Sequence, residues 1–198
     1  MTKVYPNAPS AESPSTPPSD LTADKEEVMT VWRKSLLFNC QGFTVFDGEG
    51  NLRFRVDSYS GGRNDEIVLM DSCGKPLFSI RRKRLSLTET WLIYDKEETV
   101  EPLSSVKKHV TLLPSKGLAH VTPCRPRSPH SYSVEGSYAQ RSCTVYDGQR
   151  NTVAEIRRKE APKGVALGGD VFRLVVQPGV DLSFNMAMVI VLEQMYGS

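Results

Sequence analysis

Hydrophobic and polar positions alternate through most of this chain. Phe43 to Phe46 is apolar-rich and is followed by the turn Asp47-Gly-Glu-Gly50. Leu52, Phe54 and Val56 then share one face, with Arg53, Arg55 and Asp57 on the other. A period of two after a tight turn predicts a half-buried antiparallel strand. The design recurs at Ile67 to Met70, the turn Asp71-Ser-Cys-Gly74, and Pro76 to Ile80. Further strands are predicted at Trp91–Tyr94, Val106–Leu112, Tyr132–Tyr138, Cys143–Tyr146, Thr152–Arg158 and Val171–Val176. Residues 114 to 131 carry Pro114, Pro123, Pro126 and Pro129 and read as mostly loop. Helices do not alternate with the strands, which excludes a parallel sheet of the βαβ kind.

The pattern changes at the end of the chain. Pro178 and Gly179 precede a capping candidate, Asp181, and Gly197 follows Tyr196, so a helix is predicted over Asp181 to Tyr196. It has no polar face: Leu182, Phe184, Met186, Ala187, Met188, Val189, Ile190, Val191 and Leu192 point all round it. Such a helix must be enclosed. Its apolar run is well short of the roughly 20 residues that span a bilayer, so no transmembrane span is expected. Its large apolar side chains, at roughly 1.5–3 kcal/mol each when buried, make it the centre of a soluble core.

Internal repetition points to the same architecture. Thr44-Val-Phe-Asp-Gly48 matches Thr144-Val-Tyr-Asp-Gly148, and Asp71…Ile80-Arg-Arg-Lys83 matches Asp147…Ile156-Arg-Arg-Lys159. One hairpin, strand then Asp-led turn then strand, is used three times, with spacings too uneven for a solenoid. Repeated antiparallel hairpins plus an all-apolar helix predict a mainly β protein, a closed barrel with the helix threaded through it. Closure removes exposed edges, and the helix fills a barrel too wide for side chains alone.

Composition refines this picture. Residues 1–25 hold Pro6, Pro9, Pro14, Pro17 and Pro18 among small polar residues and read as a disordered tail. Residues 26–198 form one domain. The start lacks a charged, apolar secretory signal, and Thr2 excludes N-myristoylation, so a cytoplasmic protein is expected. The scattered cysteines (Cys40, Cys73, Cys124, Cys143) have no metal-ligand or CxxC spacing and read as reduced thiols. Net charge is only +2, far from that of a basic nucleic-acid-binding domain.

The runs VWRKSLLFNCQGFTVFDGEGNLRFRVDSY (31–59), RNDEIVLMDSCGKPLFSIRRKRLSL (63–87), YSVEGSYAQRSCTVYDG (132–148), AEIRRKEA (154–161) and GVALGGDVFRLVVQPGVD (164–181) resemble the plant LURP-one-related family over roughly residues 28 to 197. The resemblance implies a twelve-stranded antiparallel barrel around a central C-terminal helix, shared with tubby C-terminal domains and phospholipid scramblases. It also implies a plant source and a signalling or transcription-linked role in defence, with no established chemistry. Fold kinship by itself does not transfer function.

Candidate chemistry is sparse. His109, His120 and His130 lie in or beside a basic span, Pro102 to Val134, that holds no acid, and none pairs with a nucleophile and an orienting acid. Gly61-Gly62 and Gly168-Gly169 lack the GK[ST] of a phosphate loop. Asp170 and Asp181 alone do not make the oxygen cage that calcium needs. A non-enzymatic protein without cofactor or metal is therefore expected. Two basic runs stand out, Arg81, Arg82, Lys83 and Arg84, and Arg157, Arg158 and Lys159, each closing the same hairpin. Clustered cations attract anionic phospholipid headgroups at about 1 kcal/mol each. Tubby domains bind phosphoinositides through basic residues, which makes the two runs the candidate headgroup sites of a protein tethered peripherally to membranes. The first run also has nuclear-import composition. The bland alternative is that the arginine stems cover the barrel rim, in an interaction or structural module that binds an unknown protein and no lipid.

Overall fold

The computed structural model describes residues 25–34, 42–59, 66–96, 100–111, 115–125, 130–160 and 168–197. The tail expected to be disordered falls outside them, Lys25 excepted, as does Cys40.

Among the described residues twelve strands precede one helix: β1 Glu27–Trp32, β2 Gly42–Phe46, β3 Leu52–Tyr59, β4 Glu66–Asp71, β5 Pro76–Arg82, β6 Thr90–Asp95, β7 Ser104–Lys108, β8 Gly117–Pro123, β9 Tyr132–Ser137, β10 Ser142–Tyr146, β11 Thr152–Arg158, β12 Val171–Val176 and α1 Leu182–Tyr196. Each strand pairs antiparallel with its neighbours in sequence, and β1 pairs with β12 to close the barrel. The predicted fold is therefore the observed one. Strand spacing of about 4.8 Å and a tilt of about 40° give a radius of roughly 10–12 Å. At that distance one layer of side chains separates a packed element from the sheet.

The interior follows from the alternation. Val31 lies opposite Phe172 and Val45, Val45 opposite Phe54, Leu69 opposite Val56 and Phe78, and Ile80 opposite Ile67 and Ile93, all buried. The series continues through Val106 opposite Val121, Val134 opposite Val145, and Ile156 opposite Leu174. Gly136 faces Cys143 at φ +121°, where a Cβ would lie 2.2 Å from the Ser142 carbonyl oxygen. A side chain there would push β9 off β10.

The helix fills the lumen. Leu182, Phe184 and every residue from Met186 to Leu192 are buried in the same cluster as the inward strand residues. Asp181 caps it, its Oδ1 accepting from the Phe184 N–H at 3.1 Å.

Two strand expectations need correction. The proline-bracketed span is not mostly loop, because Gly117–Pro123 is β8, with Ala119 and Val121 inward and His120 and Thr122 outward. The prolines punctuate its ends and hide a short alternation. The strand expected over Val106–Leu112 instead runs Ser104–Lys108.

Candidate functional site

Antiparallel closure sorts the connections onto two rims. Odd-numbered strands all end at one rim and even-numbered strands at the other. Because β12 is even, α1 enters from the second rim and its C-terminus emerges at the first. The bonds agree: Lys108, at the end of β7, donates from Nζ to the Met195 carbonyl at 2.8 Å, and Tyr196 donates its hydroxyl to the Leu118 carbonyl at 2.7 Å.

Three of the six connections at the entry rim are the repeated hairpins. Asp47 Oδ1 accepts from the N–H groups of Glu49 and Asn51, Asp71 Oδ1 from Cys73 and Lys75, and Asp147 Oδ1 from Gln149 and Asn151, all at 2.8–2.9 Å. Each hairpin also has a register shift at the same place, after Val45, Leu69 and Val145. The Asn51 and Asn151 bonds help to hold the Asp47 and Asp147 carboxyls below the ordinary carboxylate range.

The exit rim is basic. Both basic runs end there, because β5 and β11 are both odd-numbered. They are also six strands apart in either direction, hence diametrically opposite, roughly 20–25 Å across the barrel. The fold therefore does not merge them into one compact site. Arg81 is half-buried and engaged: its Nη2 lies 2.7 Å from Glu66 Oε1, and its guanidinium stacks 4.9 Å from the Tyr94 ring centre. Arg82, Lys83 and Arg84 are exposed, and among the described residues their side chains make no hydrogen bond or ion pair. On the far side Arg157 pairs with Glu155, Arg158 Nε donates to the Gln140 carbonyl at 2.9 Å, and Lys159 Nζ donates to Thr30 Oγ1 at 2.8 Å. Gln140, Arg141, Ser142, Arg157 and Arg158 line an open groove of about 520 Å³.

Inside the exit end, on the side of the second run, lies a buried polar cluster that the sequence pattern did not single out. Glu193, on the last turns of α1, accepts from Tyr138 Oη at 3.0 Å, from both terminal nitrogens of Arg141 at 3.3 Å, and pairs with Arg33 Nη1 at 3.0 Å. Arg141 also donates to the Gly169 carbonyl and lies 4.3 Å from the ring centres of Tyr138 and Phe172. Its φ of +51° turns it inward. The available signal was a charged residue, Glu193, closing an otherwise apolar helix. A carboxylate there needs a partner, but nothing in the sequence spacing points to Arg141.

The remaining candidates separate. Asp170 ion-pairs with Arg33 at the exit rim, while Asp181 caps α1 at the entry rim, so the two cannot share a cation. No group of three His, Cys, Asp or Glu among the described residues is placed to hold a metal. His109, just after β7, and His120, on β8, contact each other edge to face at 5.3 Å. No described helix is long and apolar enough to cross a membrane.

Fold and rim together define a closed antiparallel β-barrel protein with an enclosed C-terminal helix and charge divided between its two ends. The chain belongs to the LURP-one-related family, whose model matches residues 27–193. It is 46% identical over 202 residues to the protein LURP-one-related 8 of Arabidopsis thaliana, with all of both chains covered. It is 42% identical over 182 residues to LURP-one-related 17 of the same plant, covering 85% of this chain and 82% of that one. A crystal structure of an Arabidopsis thaliana protein superposes with a TM-score of 0.64 at 28% identity, covering 87% of this chain and 92% of that one.

Proposed function

We propose that this protein is a non-enzymatic binding module whose exit rim engages anionic phospholipid headgroups, tethering a plant signalling or defence-linked factor reversibly to membranes. The observation that carries the reading is the division of charge along the barrel axis. The exit rim presents Arg82, Lys83, Arg84, Lys116, Arg157 and Arg158, against Glu89, Glu160 and Asp170. The entry rim presents Asp47, Glu49, Asp71, Asp95, Glu101 and Asp147, against Lys75, Lys96 and Arg150, so acids outnumber cations there. A barrel standing end-on would bring both basic runs to one flat surface even though they are diametrically opposed. At about 1 kcal/mol for each cation near an anionic surface, such a rim would give reversible attachment. The negative end of the helix faces the same way, and Lys108 donates to its Met195 carbonyl and places a cation there. The kinship with tubby and scramblase proteins that the sequence resemblance implies points in the same direction.

Co-sedimentation with vesicles of phosphatidylcholine, with and without phosphoinositide, tests the reading. Binding is expected only with the anionic lipid and should weaken with salt, since screening acts over roughly 8–10 Å at ordinary ionic strength. No binding at low salt would retire the lipid reading and leave a protein-interaction module.

A further inference from the structure

We infer that the β5–β6 connection is a membrane-inserting tip, with Leu85 and Leu87 entering the interfacial layer of an anionic bilayer while the cations beside them stay at headgroup level. This rests on the headgroup reading above and adds to it an apolar anchor and an orientation.

Leu85 is 105% exposed and Leu87 is 108% exposed, as open as in a bare extended peptide. Scattered exposed leucines are ordinary. These two are not scattered: they flank Ser86 in one connection, directly after Arg81, Arg82, Lys83 and Arg84. The next connection round the same rim, between β7 and β8, carries Val110 at 71% exposure. Apolar surface and free cations thus share one sector of one rim.

The tip is organised. The Lys83 N–H donates to the Thr90 carbonyl at 2.8 Å and closes its base. Thr90 is buried beneath it, its Oγ1 donating to the Thr88 carbonyl and lying 3.0 Å from Ser86 Oγ. Leu85 adopts φ +56°, a left-handed conformation that Gly or Asn takes at lower cost. An aliphatic side chain held outward in a strained position contributes nothing to the core and has its use outside the molecule.

Charge decides what covers it. An anionic lipid surface offers acyl chains to the leucines and phosphates to the cations within a few ångströms of depth, the arrangement that interfacial anchors use. A second copy docking tip to tip would bring Arg82, Lys83 and Arg84 against their own images, which like-charge repulsion opposes.

The test places an environment-sensitive fluorophore on Leu87→Cys, in a chain with Cys40, Cys73 and Cys124 changed to Ser. Cys143 is buried and stays. A second chain carries the label only at the native Cys73, exposed on the opposite rim. The probe surface is phosphatidylcholine vesicles with about 30 mol% phosphatidylserine. The label at position 87 should shift to the blue and be quenched by spin-labelled acyl chains, and the label at position 73 should do neither. Vesicle binding without that shift would overturn insertion and leave the headgroup reading intact. No binding at low salt would overturn both. Leu85→Ser together with Leu87→Ser should weaken binding roughly 10–100-fold, from the partial burial of two leucines at interfacial depth, with an unchanged salt slope and thermal melt. Unchanged affinity would overturn the proposal, as would a wild-type dimer that the double substitution disperses in the absence of lipid.

Discussion

Glu193 and Arg141 form an ion pair inside the exit end of the barrel, 3.3 Å apart and exposed by only 7% and 6%. The carboxylate is shared with Tyr138 and Arg33, and the guanidinium sits in the corner between the Tyr138 and Phe172 rings, which meet edge to face. The cluster joins α1 to the β9–β10 turn, to the chain after β1 and to the connection before β12. It therefore locks the helix at one axial position in the lumen.

Removing one partner should cost far more than removing both. Arg141→Ala leaves Glu193 with only the half-exposed Arg33 and the Tyr138 hydroxyl and should destabilise the fold by about 1–3 kcal/mol. The double change Arg141→Met with Glu193→Leu should recover most of that loss, because no buried charge remains. Urea melts of the wild type, the single variants and the double variant check this. Additive losses would show that the two groups act independently.

Alkali should loosen the same end. Burial pushes the Cys143 thiol up to about 11 from its ordinary 9.0. Burial, and next the Glu193 charge, push the Tyr138 hydroxyl well above its usual value. Both folded groups hold their protons at pH values where the unfolded chain releases them. Their contribution is therefore complete below pH 9 and falls as pH rises, with Cys143 losing on the order of 2 kcal/mol between pH 9 and about 11. Thermal midpoints measured from pH 8 to 11 should decline in the wild type. The decline should be shallower in Cys143→Ala and in Tyr138→Phe, even though both variants start lower.

The helix should tolerate no charge along its middle. Ile190 is fully buried, and Ile190→Asp places an unpaired carboxylate against the barrel wall. The protein should fail to give a cooperative circular dichroism melt, and a native-like melt would show that the helix can leave the lumen.

Barrel and helix were legible because both rest on periodicity. Alternation at Leu52, Phe54 and Val56 and an unbroken apolar run in α1 leave few other ways to bury the same residues. Gly197 shows a correct expectation with a different cause. It ends the helix at φ −82°, an ordinary conformation, and glycine fits there because a Cβ would lie 2.1 Å from Glu193 Oε1. The Arg141–Glu193 pair was illegible because its partners lie 52 positions apart and meet only after closure. Closure likewise decides that the two basic runs share a rim yet face away from each other. Local spacing shows that both end the same hairpin and nothing of their angle around the barrel. Strand β8 was hidden because the flanking prolines outweighed two inward positions, Ala119 and Val121.

Acid should test the entry rim. The bonds from Asn51 and Asn151 hold the Asp47 and Asp147 carboxyls below their ordinary values. That contribution is present above the unfolded carboxylate range and is lost as pH falls through the depressed folded values. The midpoint should drop on acidification, and Asp147→Asn together with Asp47→Asn should flatten that dependence while leaving the barrel closed. An acid profile identical to the wild type would mean that these turns hold without their carboxylates.

The diametric placement of the basic runs gives the last prediction. If the barrel stands end-on at a membrane, each run contributes independently, because cations roughly 20–25 Å apart exceed the screening length at ordinary salt. Arg82→Gln with Lys83→Gln should then weaken vesicle binding, and so should Arg158→Gln with Lys159→Gln, with all four changes together losing the sum. The first pair should leave stability within about 0.5 kcal/mol, since those side chains are exposed and hold no partner among the described residues. The second pair should cost somewhat more, because Arg158 and Lys159 also brace Gln140 and Thr30. Sedimentation with phosphoinositide vesicles at two salt concentrations, beside a thermal melt of each variant, separates the outcomes. If the first pair alone abolishes binding, the barrel attaches through one side of the rim, tilted onto the β5–β6 connection. If neither pair changes it, the basic runs serve the rim's structure and the partner binds elsewhere.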